Sequence, residues 1–379
     1  MNRDKISCQI QDLSTYRIIK RIMEIDRSAF VVGGFLRELL KGRESMDIDI
    51  VTRSDIKRLA LSLAADLKGT MVIFKKAGII RVVSDNITID FSELQGSIHD
   101  DLSKRDFTMN AIAWSPFEGV TDPFRGMEDI QKGIIRAISE TNLKDDPLRL
   151  LRTYRFVAES GFKIDNKTRR LLRRLKKEIK ITASERITAE LFKILNSRNH
   201  IKALKESFED GLLREILSID RNVLLRNIKS LSKIDRFVES VREDLGLDLE
   251  DEYSQGLTYR GLIRLERLLI GSKLDKNRLT LSKPVWKRVR ALSEAFRIYT
   301  KKRGPLNSKT LFDIFYELKE ASVDFSILTN RKRIFLESKR FLDMKDIITG
   351  DKIAELTGLK GKEIGEILKK LRYLQFASR

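Results

Sequence analysis

Two periods of hydrophobic positions divide this chain. Up to about residue 140 short apolar runs alternate with helical patches. Residues 9–28 read as an amphipathic helix, with Ile10, Leu13, Ile18, Ile19 and Ile22 on its apolar side. Phe30-Val31-Val32 reads as a short buried strand, broken by Gly33-Gly34, and Phe35–Leu40 returns to helical spacing. Met46–Val51 alternates as a second strand, with Asp47 and Asp49 on one face and Ile48 and Ile50 on the other. Ile56–Leu67 is a predicted helix led by the cap candidates Ser54 and Asp55. Met71–Phe74, Ile79–Val83 and Ile87–Phe91 come next as three short strands. Together these predict a small mixed sheet with helices to one side.

From about residue 146 the period becomes 3.6 and stays there. Leu148–Glu159, Asn166–Ile179, Ser184–Leu195, Ile201–Phe208, Leu212–Leu217, Thr258–Ile270, Val285–Tyr299, Thr310–Lys319, Lys332–Leu342 and Glu363–Tyr373 all read as helices. The fold class is therefore α+β: a sheet-bearing head (1–140), then helical stretches 141–215, 216–300 and 301–379. The acidic, glycine-containing segment 245–257 is the expected soft joint. Residues 348–371, with Gly350, Gly358, Gly361 and Gly365, read as a glycine-punctuated helix pair. Such a pair suits close approach to a nucleic-acid backbone, or a tight helix–helix turn.

Charge sharpens this division. The 379 residues carry a net charge of +20. Residues 1–150 hold 23 basic and 23 acidic side chains, so the excess lies wholly in 151–379. A neutral head on a basic body suggests that the body holds a polyanion. A solvated lysine-rich surface is the plainer alternative. No apolar run approaches the ~20 residues that span a bilayer. The first twenty residues lack the apolar core of a signal peptide, and Cys8 is the only cysteine, so a reducing cytoplasm is the expected setting.

Candidate chemistry gathers in four clusters. In FVVGGFLRELLKGRESMDIDI (30–50), Asp47 and Asp49 would repel one another unless a cation sits between them, and a divalent metal with oxygen ligands suits that place. A glycine pair opening a helix leaves N–H groups free for a phosphate, and Arg37 adds a charged fork. In KRDFTMNA (104–111), Arg105 offers donors to phosphate or ribose oxygens, Asp106 can accept from a ribose hydroxyl, and Asn110 can bridge. Asp122-Pro123-Phe124-Arg125-Gly126 with Asp129 reads as a structural turn. In DDPLRLLRTYRF (145–156), Pro147 suits a first helical position with Asp146 as its cap, while Arg149, Arg152 and Arg155 recur on one slowly turning face. Such a stripe suits a triphosphate or RNA backbone. Two roles are open to Asp90: a third metal carboxylate, or a residue behind the ligands. With only His99 and His200 in the chain, His99-Asp100 is not read as part of a metal-dependent phosphohydrolase site.

A glycine pair, an arginine and then Asp-x-Asp make the chain resemble the polymerase β-like nucleotidyltransferases. More narrowly it resembles the bacterial-type (class II) tRNA nucleotidyltransferase and poly(A) polymerase family, whose head opens with GGxxR and then DxD. The resemblance covers about residues 28–215, with a weaker match at 348–371. It implies Mg2+ on Asp47 and Asp49, a triphosphate gripped by Gly33, Gly34, Arg37 and the neck arginines, and a ribose held by Arg105 and Asp106. It implies further that Asp146 and Arg149 select the incoming base by edge contacts, as in a cytidine. Partners implied are CTP and the 3′ end of tRNA. Three positions depart from the pattern: Glu38 stands where the family has Asp, Lys104 where it has Arg, and Asp145 where it has Glu. Only thirteen residues, FSELQGSIHDDLS (91–103), separate Asp90 from Lys104, too few for the longer arginine-containing loop of members that finish the CCA end. That deletion is similar to CC-adding enzymes. A full CCA-adding enzyme, an A-adding enzyme, a poly(A) polymerase and a non-catalytic RNA-binding protein are the rivals.

Overall fold

The computed structural model describes residues 9–75, 78–85, 87–301, 306–345 and 347–378; Cys8 lies outside them. The chain forms two compact units, Met1–Thr182 and Ala183–Arg379.

The first unit is built on a seven-stranded sheet. Its strands are β1 (Phe30–Val32), β2 (Asp47–Thr52), β3 (Thr70–Phe74), β4 (Ile79–Ser84), β5 (Ile87–Glu93), β6 (Ala113–Ser115) and β7 (Gly119–Thr121). Their order is β3-β4-β5-β2-β1-β6-β7, and only β2 and β5 run parallel. Around them lie α1 (Tyr16–Ile25), α2 (Gly34–Leu40), α3 (Ile56–Asp66), α4 (Ile98–Ser103), α5 (Gly126–Lys132), α6 (Glu140–Asp145), α7 (Leu148–Ser160) and α8 (Asn166–Leu175).

Alternation on the central strands separates the two faces. Ile48 and Ile50 pair in register with Ile89 and Phe91, and those with Val82 and Ile80. All six are buried and make one apolar face. On the other face Asp49, Asp90 and Arg81 stand in register across β2, β5 and β4. Beside this polar row, Phe30, Val32 and Val51 pack with Ile98 and Leu102 of α4. α1 lines a cavity with Trp114 on the apolar face, in register with Val31. Helices thus cover both faces, not one. The expectation of a single covered face missed α4 because its six residues are too short and polar to show a period.

Local signals explain most element ends. Asp55 accepts from the N–H of Lys57 at 2.9 Å and of Arg58 at 3.2 Å, capping α3. Asp122 accepts from Gly126 at 2.6 Å and Met127 at 3.0 Å, so the Asp-Pro turn caps α5 as a structural device. Asp100 forms a capping box with Ser97 and His99 is exposed, in keeping with the structural reading of that pair. The single amphipathic helix expected over 9–28 is instead a short helical turn and then α1, with Thr15 buried between them.

The second unit is helical: α9 (Ser184–Asn196), α10 (His200–Glu209), α11 (Leu213–Ile216), α12 (Arg221–Ser240), α13 (Arg242–Leu245), α14 (Tyr259–Leu269), α15 (Lys283–Lys301), α16 (Ser308–Leu318), α17 (Ser322–Thr329), α18 (Lys332–Asp343), α19 (Gly350–Thr357) and α20 (Lys362–Ala377). Its core is aromatic, with Phe312, Phe315, Phe325 and Phe335 buried. α19 and α20 are the expected glycine-punctuated pair. Segment 245–257 is no soft joint: it turns into a two-stranded hairpin, buries Leu249 and Leu257, and is held by Asn196. Among the described residues, no helix is long and apolar enough to cross a membrane.

Candidate active site

β1 delivers the chain to Gly33, whose φ of 71° is open to glycine at little cost. A Cβ there would stand 3.2 Å from Asp49 Oδ2 and 3.5 Å from Arg105 Nη1. The glycine therefore admits a close approach between the α2 turn, a carboxylate of β2 and a guanidinium of the next motif. The Gly34 N–H donates to Asp49. Burial pushes the Asp49 carboxyl up; Arg105 opposes this, Asp90 and Asp47 add to it, and the Gly34 N–H opposes it. Asp47, one pleat away, is exposed.

Asp90 is in register with Asp49, yet both its oxygens are held by Arg81, at 2.7 Å each. Of the two roles open to Asp90, this geometry favours the residue behind the ligands. Arg81 is a site residue that sequence reasoning passed over. Only the β4–β5 register places it, and no spacing in the chain encodes that register.

The second cluster forms a hydrogen-bonded chain through the interior. Asp106 is 5% exposed. It accepts from Arg152 Nε at 2.8 Å and Nη2 at 2.7 Å, from its neighbour's N–H at 2.9 Å and from Asn110 Nδ2 at 2.8 Å. Burial raises its carboxyl, but the charges of Arg152 and Arg149 and the Asn110 bond outweigh that and hold it below the usual range. Asn110 Oδ1 accepts from Arg37 Nη1. Arg37 also pairs with Glu38 at 3.0 Å and lies over the Phe156 ring, 4.9 Å from its centroid. The expectation that Asp106 serves a ribose hydroxyl directly meets a buried carboxylate already bonded to Arg152 and Asn110. Its bonds fix those two side chains.

The neck arginines are not a uniform stripe. Asp146 Oδ1 accepts from the N–H of Leu148 at 3.3 Å, so the helix starts one residue after Pro147. Arg149 Nη1 donates to the carbonyl of Asn142 at 3.0 Å. Arg152 is tied to Asp106, and Arg155 lies 4.4 Å over Phe156, with Glu159 at 3.7 Å. Arg105 is held by Asp101 at 2.8 Å. Through these bonds the α2 turn, the Asp strand, the 105–110 segment and the start of α7 join in one network.

Among the described residues no group of three or more His, Cys, Asp or Glu side chains gathers as a metal cluster. The donors present are two aspartates on one strand face, one of them disfavoured as an anion by burial and by its carboxylate neighbours. That set fits a hard divalent cation completed by oxygens of a bound nucleotide.

A mixed sheet with this glycine turn and aspartate pair defines a nucleotidyltransferase head. Residues 29–97 and 89–136 match the family model described as "Poly A polymerase head domain", and residues 161–219 match "Probable RNA and SrmB- binding site of polymerase A". A "CC-adding tRNA nucleotidyltransferase" of Geobacter sulfurreducens is 30% identical over 380 residues, covering 92% of this chain and 87% of that protein. Its namesake from Synechocystis is 36% identical over 239 residues, covering 62% of this chain and 57% of that one. Relatives named A-adding match over 49% and 91% of this chain, and one named CCA-adding over 52%. The "Thermotoga maritima CCA-adding enzyme complexed with tRNA_CCA" shares the fold, with a TM-score of 0.75 at 21% identity over 99% of this chain and 95% of that one. The chain belongs to the class II tRNA nucleotidyltransferase and poly(A) polymerase family, and is most like its CC-adding members.

Proposed function

We propose that this protein adds CMP from CTP to the 3′ end of tRNA and stops after two additions. The observation that carries this reading is the meeting of Asp49 with the Gly33–Gly34 turn and Arg105 on the polar face of the sheet. The terminal 3′-hydroxyl attacks the α-phosphate of CTP, the new P–O bond forms as the hydroxyl proton is lost, and pyrophosphate leaves. Asp47 and Asp49 would hold Mg2+, which when bound lowers the pKa of the attacking hydroxyl and neutralises charge on the pyrophosphate. The chain's own groups do the rest. Gly33, Gly34, Arg37 and the neck arginines grip the triphosphate. Arg105 faces the sugar–phosphate, while Asp106 and Asn110 keep Arg152 and Arg37 in place. Asp146 and Arg149 present donors and acceptors to the cytosine edge.

In this reading the head (1–140) carries the transfer chemistry and the neck (141–215) selects the base. The basic body (216–300) and tail (301–379) hold the tRNA through shape and phosphates. A tRNA substrate puts the work in the cytoplasm. Restriction to cytidine is supported by the short path out of β5: four residues lead to α4 under its Ser97–Asp100 capping box, where members that also add A carry a longer loop. The test uses tRNA transcripts lacking the CCA end, given labelled CTP, ATP or both, with products sized. A ladder that halts at two cytidines is expected. An A added after them, or A addition alone to a primer ending in CC, overturns the cytidine restriction.

A further inference from the structure

Asn142 belongs to none of the motifs, yet it is buried and its side-chain nitrogen makes two hydrogen bonds. Its Nδ2 donates to the carbonyls of Ser103 and Arg105, both at 2.7 Å. Its backbone carbonyl accepts from Arg149 Nη1 at 3.0 Å, and its backbone N–H donates to Ser139 Oγ at 3.0 Å. One residue therefore touches the last residue of α4, the backbone of Arg105 and the guanidinium of Arg149. Arg105 faces Asp49 and Gly33. Arg149 reads the base if the proposed function is right, and the inference rests on that reading.

We propose that Asn142 is a positioning residue for nucleotide selection, setting the distance between the phosphate-side guanidinium of Arg105 and the base-side guanidinium of Arg149. The chemistry is specific to an amide. Two carbonyls converge on one nitrogen, and a side chain of this size that donates to both must carry an NH2 group. An aspartate of the same shape would set an oxygen against two carbonyl oxygens. Simple capping of α4 would need the Ser103 bond alone. The side-chain bond to the Arg105 carbonyl, together with the main-chain bond to Arg149, is what makes the residue a spacer.

The test compares CMP and AMP incorporation by the full-length protein, using a transcript ending before the CCA positions. The variants are Asn142→Ala, Asn142→Asp and Ser139→Ala. Both Asn142 variants are expected to raise KM for CTP about tenfold and to lower the CTP-to-ATP ratio of kcat/KM about tenfold, with kcat moving less, as displacement of a positioning group does. Ser139→Ala removes the cap of α6 but leaves the amide, so it should lower Tm and leave the ratio unchanged. A folded Asn142→Ala with the wild-type ratio overturns the proposal. So does a Ser139→Ala that shifts the ratio equally, since helix integrity alone would then explain the effect. Should Asn142→Asp fail to fold, Asn142→Ala decides. A wild type that adds no CMP defeats the proposed function itself, and this inference with it.

Discussion

Each unit buries a carboxylate against a guanidinium, and the two pairings differ in proportion. In the first unit Arg152 binds Asp106 through two nitrogens, and the charge of Arg149 lies nearby. In the second, two fully buried carboxylates share one guanidinium: Arg288 Nε reaches Glu266 at 3.1 Å and Asp324 at 2.5 Å. Tyr259 closes that group by donating to Asp324 at 2.9 Å. Two guanidiniums beside one carboxylate suit a polyphosphate partner in the proposed reading. Excess carboxylate must be neutralised from within, and there burial and the Asp324 charge push Glu266 well above the usual carboxylate range. Carboxylate and guanidinium make the proposed binding site in one place and a closed structural knot in the other. The number of each, more than the identity, decides which.

The strongest way to break this comparison is at the metal-type pair. Asp49→Asn should cut CMP incorporation by about a thousandfold or more, the scale of losing a group that stabilises developing charge, while tRNA binding in a filter or gel-shift assay holds. Incorporation near the wild-type rate would remove Asp49 from the chemistry. Next in size is Asp106→Ala, which leaves Arg152 and Asn110 without their shared partner. A loss of about 3 kcal/mol in urea unfolding of the first unit is expected, the low end for a broken buried pair because Arg152 keeps some solvent contact. A higher KM for CTP should accompany it. The smallest effect is expected of Glu266→Gln. The Glu266 pKa is raised in the folded state, so folding retains a proton there that the unfolded chain releases. Its stability contribution is whole below the unfolded value and falls as pH rises toward the folded one. The glutamine variant should match wild type within about 1 kcal/mol near neutrality and lose less stability on raising the pH, read from urea midpoints across that range. Parallel pH profiles would show that Glu266 is already ionised.

Sequence pattern located the sheet-bearing head, most helices and the motifs that the fold brings together in the first unit. What it left out had physical reasons. α17 is buried on nearly all sides, at Ser322, Asp324, Phe325, Ser326, Ile327 and Leu328, so it lacks the polar face that makes a period visible. α12 does carry the period, at Leu224, Ile228, Leu231, Ile234 and Val238, within a mostly polar stretch. Inside the site the motifs were legible but their joinery was not. Arg37 meets Asn110 across 73 residues and Arg152 meets Asp106 across 46, and no local spacing encodes such pairings. Arg81 and Asn142 belong to the same class: each acts through a register or a backbone carbonyl that only the folded chain defines.

The setting of the aspartate strand has a consequence of its own. β2 is paired along its whole length with β5 and, over residues 49–51, with β1. A strand laced on both sides is an anvil: amide protons of residues 48–51 should be among the last in the first unit to exchange with deuterium. Any travel needed between one addition and the next falls to the growing RNA end and to the parts around the sheet, never to the ledge that carries the two carboxylates.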